Sequence, residues 1–243
     1  MKVCGLLMNQ FSGSLKLAVL YLLALAVCLG ALVFGYLQPA IDFQDPSAAR
    51  IVALHVPMAW LATVFFIISA VYAVRYLASR ELLEDESAAA AAEIGLLFCV
   101  LATVTGSVFA HTQWHSWWNW DPRETSIFFL FLIYAAYFAL RGSVDDPGRR
   151  ALFSSVYDIL ACITMPFLIF VVPRMMDSLH PKHPTLEGSY WLVLLSTFFG
   201  FGALFVWLFR IRQAMARLQM EQGTDQNDDI EPLRPTLVHS PEA

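Results

Sequence analysis

Long apolar segments separated by short polar ones run along most of the chain. A helix that spans a bilayer needs about 20 mostly apolar residues, and six segments have nearly that length or more: 15–37, 56–77, 88–109, 125–140, 152–172 and 190–209. The pattern predicts an all-α polytopic membrane protein, with a six-transmembrane-helix bundle over residues 1–218. The polar, acidic segment 219–243 is typical of a disordered tail.

The composition agrees with a membrane protein. Hydrophobic residues make up 58% of the chain and charged residues only 14%, whereas about a quarter of an ordinary soluble domain is charged. The net charge of -5 gives no sign of nucleic-acid binding. The partner that surrounds the bundle is therefore membrane lipid.

Lysine and arginine are distributed unevenly between the two sides of the predicted bundle. Eleven of the fifteen fall on one side, and the other side holds only Arg50, Arg123, Arg174 and Lys182. The positive-inside rule then predicts that both termini are cytoplasmic. The segments 38–55, 110–124 and 173–189 should face outward from the cytoplasmic (inner) membrane, into the periplasm of a Gram-negative host.

Five of the six histidines map to this outer side: His55, His111, His115, His180 and His183. Histidine is the commonest metal ligand and also a ligand of haem iron. His55 is predicted to open the second span, in LHVPMAW, and His180 lies before the sixth, in SLHPKHP. At equal membrane depth the two could bind one flat cofactor, with His183 as an alternative to His180. Any one of these histidines alone would more simply be an interfacial polar residue.

A tryptophan-rich loop lies on the same side, in the segment QWHSWWNWDPRET at 113–125. It contains Trp114, Trp117, Trp118 and Trp120, which are four of the seven tryptophans. An aromatic belt at the headgroup level explains one or two tryptophans at a helix end. A denser cluster is suited to a large, planar, hydrophobic ligand.

The loop leads directly into a predicted helix start. Asp121, Pro122 and Glu124 form the pattern of a capping box, so Asp121 is equally a candidate cap and a candidate ligand-site residue. A helix N-terminus favours an anion, and Arg123 adds a positive charge. An apolar surface beside an anion site fits a porphyrin with its propionates. The alternative is that Arg123 pairs with Glu124 or with a lipid phosphate.

The loop sequence W-H-S-W-W-N-W-D-P-R-E-T resembles the tryptophan-rich WWD motif of haem-handling proteins in cytochrome c biogenesis. That motif reads roughly W-G-x-W-W-x-W-D-x-R-x-T, and His115 replaces its glycine. HVPMAW at 55–60 and SLH at 178–180 resemble two histidine-containing segments of the haem exporter protein C (CcmC) family. The resemblance covers roughly residues 15–210. Residues 175–177, Met-Met-Asp, stand where that family usually has W-W-N.

The resemblance implies a haem-binding protein that presents non-covalently bound haem b at the outer face of the membrane. His55 and His180 would be the axial ligands, with His183, His115 and His111 in reserve. Residues 114–121 would form the platform. The resemblance also implies that haem passes to a CcmE-like chaperone with help from an ABC-type export complex and a small membrane partner.

The outer loops contain no Ser/His/Asp or Cys/His arrangement, so the chain is predicted to be a binding and transfer protein, not an enzyme. Three alternatives remain at this point. The segment W-D-P-R-E-T also favours a CcsA-like subunit of a cytochrome c synthetase, although the chain is short for one. A b-type respiratory cytochrome would need histidine pairs inside the bundle. A plain membrane scaffold would explain the tryptophans but not the coincident histidines.

Overall fold

Helices make up nearly all of the chain that the computed structural model describes, which is residues 17–30, 33–34, 48–180 and 188–230. No strand occurs in these ranges. The helices are α1 (Leu17–Gly30), α2 (Ala48–Ser79), α3 (Leu82–Trp114), α4 (Pro122–Ser143), α5 (Pro147–Pro166), α6 (Val172–Met175) and α7 (Gly188–Ile230).

Five helical segments are long and apolar enough to cross a membrane: Arg50–Ser79, Leu82–Trp114, Pro122–Ser143, Pro147–Met175 and Tyr190–Gln222. They correspond to the second to sixth predicted spans, so the prediction of an all-α polytopic membrane protein is confirmed. The first predicted span, 15–37, is described mainly as the shorter apolar helix α1. Apart from residues 33–34, the remainder of that span lies outside the described residues.

Several helices extend beyond their predicted ends. Helix α2 begins at Ala48, so His55 lies about two turns inside the helix and not at its start as predicted. Helix α3 continues to Trp114 and includes His111, which was predicted to lie in a loop. No proline interrupts α3, and it ends only where His115 adopts a left-handed φ of 57°.

Helix α7 continues to Ile230 and overlaps the start of the predicted tail. Residues 231–243 lie outside the described residues, so the disorder predicted for them stays a prediction.

Pro166 changes the course of the fifth span. Proline lacks the N–H that would continue an α-helical ladder, and a π-helical turn, Phe167–Val171, follows it directly. The short α6 then completes the span. A π-bulge of this kind is frequent at functional sites, and here the chain goes on to the segment that contains His180.

Aromatic side chains fill the centre of the bundle. Phe66 of α2 stacks on Tyr134 of α4, with ring centroids 3.5 Å apart and planes inclined by 11°. Phe98 of α3 contacts both Phe65 of α2 and Phe205 of α7. Because lipid is as apolar as these rings, van der Waals packing holds such helices together. The ring contacts join α2 to α3 and α4, and α3 to α7.

Three buried or largely buried ionisable side chains within the apolar helices have partners, namely Asp85, Arg141 and Asp158. Arg141 of α4 donates to both carboxylate oxygens of Asp85 in α3, at 2.6 and 3.0 Å. The Asp158 carboxyl in α5 is hydrogen-bonded to the hydroxyl of Ser69 in α2. Charges are costly inside a membrane unless paired, and these contacts stabilise the end of the bundle opposite the tryptophan loop.

We predict that Asp85→Asn lowers the free energy of unfolding by about 3 kcal/mol. The Asp85 side chain is only 1% exposed and that of Arg141 10%, so the substitution removes the two-oxygen partner of a largely buried guanidinium and leaves it only the longer contact with Glu86, at 3.4 Å. Thermal unfolding of the detergent-purified protein measures the loss.

Glu93→Gln is the matched control. It removes the acidic partner of Arg212, but both side chains of that pair are more than half exposed. A pair of this kind contributes less than about 1 kcal/mol. Equal losses in the two variants would contradict the assignment of Asp85 as a stabilising contact.

Candidate functional site

The imidazole of His55 is held in one orientation by the backbone of α3. Its Nδ1 atom lies 2.9 Å from the carbonyl oxygen of Ala102 and 3.3 Å from the hydroxyl oxygen of Thr105. A carbonyl only accepts hydrogen bonds, and the Thr105 hydroxyl already donates to the carbonyl of Leu101. Nδ1 must therefore carry the proton, which leaves the lone pair of the neutral ring on Nε2.

Gly106 makes room for this imidazole. A Cβ atom built on Gly106 would lie 2.7 Å from Cε1 and 3.2 Å from Nδ1 of His55. The first distance is shorter than any ordinary van der Waals contact. The absence of a side chain on Gly106 therefore lets α3 approach His55 closely.

Asp121 is the buried polar centre of the site. As N-cap of α4 it accepts a hydrogen bond from the backbone N–H of Arg123, and Glu124 completes a capping box. Its Oδ2 atom also accepts from the Ser178 hydroxyl at 2.8 Å and from the Leu179 N–H at 2.6 Å. The carboxylate therefore joins the start of α4 to the segment that precedes α7.

His180 makes the fourth contact of that carboxylate. Its Nδ1 atom lies 3.0 Å from Oδ1 of Asp121, whose side chain is fully buried. An ionised carboxylate only accepts, so Nδ1–H is the donor and Nε2 is again the free nitrogen of the neutral ring. A histidine that binds a metal usually donates its other N–H to a carboxylate or a backbone carbonyl. His180 donates to a carboxylate, that of Asp121, and His55 donates to a backbone carbonyl, that of Ala102.

Hydrogen bonding keeps the Asp121 carboxyl ionised. Burial by itself raises its pKa, but the hydrogen bonds from His180, the Arg123 N–H and Ser178 together hold the pKa well below its usual value. Because the pKa of Asp121 is lower in the folded than in the unfolded chain, ionised Asp121 stabilises the fold. This contribution is complete at pH values above the unfolded-state pKa of about 3.9 and is lost only in stronger acid. The acceptor for His180 is thus present throughout the neutral range.

Trp114 lies beside His180. The two rings meet edge to face, with centroids 5.1 Å apart, and Trp114 also packs edge-on against Phe109. His55 and His180 lie within electrostatic range of each other. The last three turns of α3 therefore contact both histidines.

The other tryptophans of the loop form two separate groups. Trp117 stacks on His111, with centroids 4.1 Å apart. Trp118 packs edge-on against Trp120 and Phe128, and these three rings line an apolar cavity of about 220 Å³. The four tryptophans predicted to form one platform thus have three different sets of neighbours.

The remaining candidate histidines have weaker anchors. His111 and His115 are exposed, and His115 caps α3 through its backbone N–H, which donates to the His111 carbonyl at 3.0 Å. His183 lies outside the described residues. Within the described ranges, no three His, Cys, Asp or Glu side chains are grouped so as to bind a metal ion by themselves.

Two arginines lie on this side of the site, Arg123 near Asp121 and Arg174 near Arg123. Arg123 is exposed, and over the described ranges its guanidinium makes no ion pair, so the predicted alternative of a pair with Glu124 is not observed. Arg174, in α6, is close enough for its charge to act on Arg123 and donates to the Phe170 carbonyl. The two cations therefore lie near each other, and Arg123 also lies near the buried Asp121 carboxylate.

Sequence reasoning missed four contributors to the site: Ala102, Gly106, Ser178 and Arg174. A backbone carbonyl has no residue-type signature, so the role of Ala102 could not be read from the chain. Gly106 did carry a signal, because glycine inside an apolar helix often marks a close approach. Ser178 stands two residues before His180, in the SLH segment that carries part of the resemblance.

Comparison with known proteins supports the resemblance. The family model described as heme exporter protein C matches residues 7–227. Heme exporter protein C of Bradyrhizobium diazoefficiens is 33% identical over 210 residues, covering 79% of this chain and 80% of the relative. That of Rhodobacter capsulatus is 29% identical over 191 residues, with coverage of 76% and 79%. That of Escherichia coli K12 is 30% identical over 156 residues, with coverage of 64% and 62%. The chain therefore belongs to the heme exporter protein C family of cytochrome c biogenesis.

Proposed function

We propose that this protein binds haem between His55 and His180 and passes it to a CcmE-like haem chaperone during cytochrome c maturation. The observation that carries the proposal is that both imidazoles have the same tautomer, with the proton on Nδ1. Each donates from Nδ1 to a fixed oxygen, Ala102 O for His55 and Asp121 Oδ1 for His180. Each therefore keeps the Nε2 lone pair that iron needs.

The residues present fit the chemistry of haem. Haem b supplies an iron that takes two axial nitrogen ligands and a flat apolar ring. The Asp121 carboxylate makes Nε2 of His180 more basic, and so a better iron ligand, and it fixes the orientation of the ring. Trp114 adds an aromatic edge beside His180. The cavity lined by Trp118, Trp120 and Phe128 offers apolar surface to a porphyrin edge.

Arg123 and Arg174 would hold the haem propionates. A guanidinium pairs well with a carboxylate, and the N-terminus of α4 adds the positive end of a helix dipole. Neither guanidinium forms an ion pair over the described ranges. A haem carboxylate would therefore not have to displace an acidic side chain of the protein.

Hand-over requires that the haem be accessible to a second protein. Trp117 is 57% exposed and Trp120 71% exposed, so these large apolar surfaces are available for docking a chaperone. The excess of Lys and Arg at the opposite end of the bundle supports an orientation in which the site is on the outer side of the cytoplasmic membrane. An ABC-type complex and a small membrane partner of the same pathway would act with this chain.

We predict that His55→Ala or His180→Ala lowers haem occupancy and converts a six-coordinate spectrum into a five-coordinate one. Each substitution removes one axial nitrogen and leaves the other in place. Absorption spectra of the purified protein, oxidised and reduced, measure the change. His111→Ala is the control, because His111 is exposed and, among the rings of the described residues, stacks on Trp117 alone. A wild-type spectrum in the His55→Ala/His180→Ala double variant would refute the axial assignment.

We predict that Gly106→Ala also lowers haem occupancy, although it leaves both histidines in the chain. The new methyl group would displace the His55 imidazole from its hydrogen bond with Ala102. The same spectra, together with haem titration, measure the effect. Gly142→Ala in α4 is the control, since nothing lies within 4 Å of a Cβ built there. Identical titrations for the two variants would show that Gly106 does not position His55.

We predict that Asp121→Asn weakens haem binding by about 10–100-fold, the usual effect of removing the partner of a metal-binding histidine. Asparagine still caps a helix, so α4 should remain intact. Asp146→Asn tests capping alone, because Asp146 caps α5 through the Arg149 N–H and lies at the other end of the bundle. Haem titration that shows equal losses in both variants would contradict the specific role of Asp121.

A further inference from the structure

A second cavity lies at the opposite end of the bundle from the histidines, between α2, α3 and α7. Its volume is about 430 Å³. Its inner wall is apolar and includes Phe65, Ile68, Val206 and Phe209. It is formed beside the turn between Ser79 and Leu82, where two spans end, so it lies at the level of lipid headgroups.

The rim of this cavity carries cations that the protein does not neutralise. Arg210 and Arg217 line it, both are exposed, and neither forms an ion pair over the described ranges. Arg212, which lies between them in α7, pairs with Glu93. Two guanidinium groups at one rim are suited to a phosphate.

The same cavity contains a carboxylate oxygen that has no partner. Glu84 lines it, and its Oε1 atom accepts from Arg75 at 2.6 Å. Its Oε2 atom is buried, and no described residue donates to it. A buried carboxylate oxygen normally has a donor, and a positively charged group of a ligand in the cavity would supply the donor that is missing here.

We propose that this cavity binds the headgroup of an aminophospholipid, of the phosphatidylethanolamine type. The phosphate would contact Arg210 and Arg217, and the ammonium group would donate to Oε2 of Glu84. The acyl chains would follow the apolar wall towards Phe65 and the lipid-facing side of α7. Basic cavities between helices at a membrane surface are known to bind lipid headgroups, and the buried Glu84 oxygen adds selectivity for an N–H donor.

This assignment predicts an order among lipids that differ in one group. Phosphatidylcholine keeps the phosphate, but its trimethylammonium group has no N–H to donate to Glu84. Phosphatidylglycerol keeps the phosphate and has no cation at all. Soluble phosphoethanolamine keeps both charged groups but has no acyl chain to contact the apolar wall.

Native mass spectrometry of the full chain, released from detergent with equal amounts of the three lipids, tests the proposal. We expect the wild type to retain phosphatidylethanolamine several-fold over both other lipids. Glu84→Gln should abolish that preference while leaving some retention of all three. Arg217→Gln should lower retention of all three together. Glu93→Gln removes an exposed acidic partner of Arg212. It should change neither the preference for phosphatidylethanolamine nor the total amount of lipid retained.

Equal retention of the three lipids by the wild type would overturn the proposal, as would a preference that survives Glu84→Gln. Equal retention of soluble phosphoethanolamine would assign the cavity to a soluble zwitterion and reject the lipid. If Glu84→Gln does not fold, the proposal is tested by the order of lipid retention in the wild type and by the loss of retention in Arg217→Gln. None of these measurements depends on haem, so they stand apart from the function proposed above.

Discussion

The carboxylate of Asp121 joins the parts of the chain on which the candidate haem site depends. It accepts four hydrogen bonds, which come from the N-terminus of α4, from Ser178, from Leu179 and from His180. Because both oxygens are fully used, the carboxylate is stable as a buried anion and fixes the direction of the His180 ring. Without it, α4 would lose its cap, and Ser178, Leu179 and His180 would lose the hydrogen-bond acceptor that they share.

Helix α3 serves both ends of the molecule. Near its C-terminus it supplies the carbonyl that orients His55, the glycine that admits the ring, and Trp114 against His180. Near its N-terminus it supplies Asp85 for Arg141 and Glu84 for the second cavity. In lipid every backbone polar group needs a partner within the protein, and a buried side-chain charge is costly without one. The pairings that satisfy these groups therefore also set the orientation of the groups that would bind ligands.

The two ends are suited to different tasks. The end with the histidines combines rigidly oriented nitrogens with exposed tryptophans, which fits a protein that binds haem and then releases it to a partner. The opposite end combines unpaired arginines with a buried acceptor, which fits a bound lipid that remains in place. Family membership agrees with haem handling, while the lipid follows only from the geometry and charge of the second cavity.

The sequence by itself determined the helices, since apolar segments of spanning length have few alternatives in a membrane. It also determined the family, through the WWD motif and its two histidine segments, and the capping box at Asp121. The tertiary structure decided which histidine nitrogen is free, because the donors and acceptors involved lie about 50 residues or more apart in the chain. It also decided that α3 includes His111 and that the four tryptophans have different neighbours. A backbone carbonyl or a missing side chain becomes informative only when another helix packs against it, and packing is a property of the folded chain.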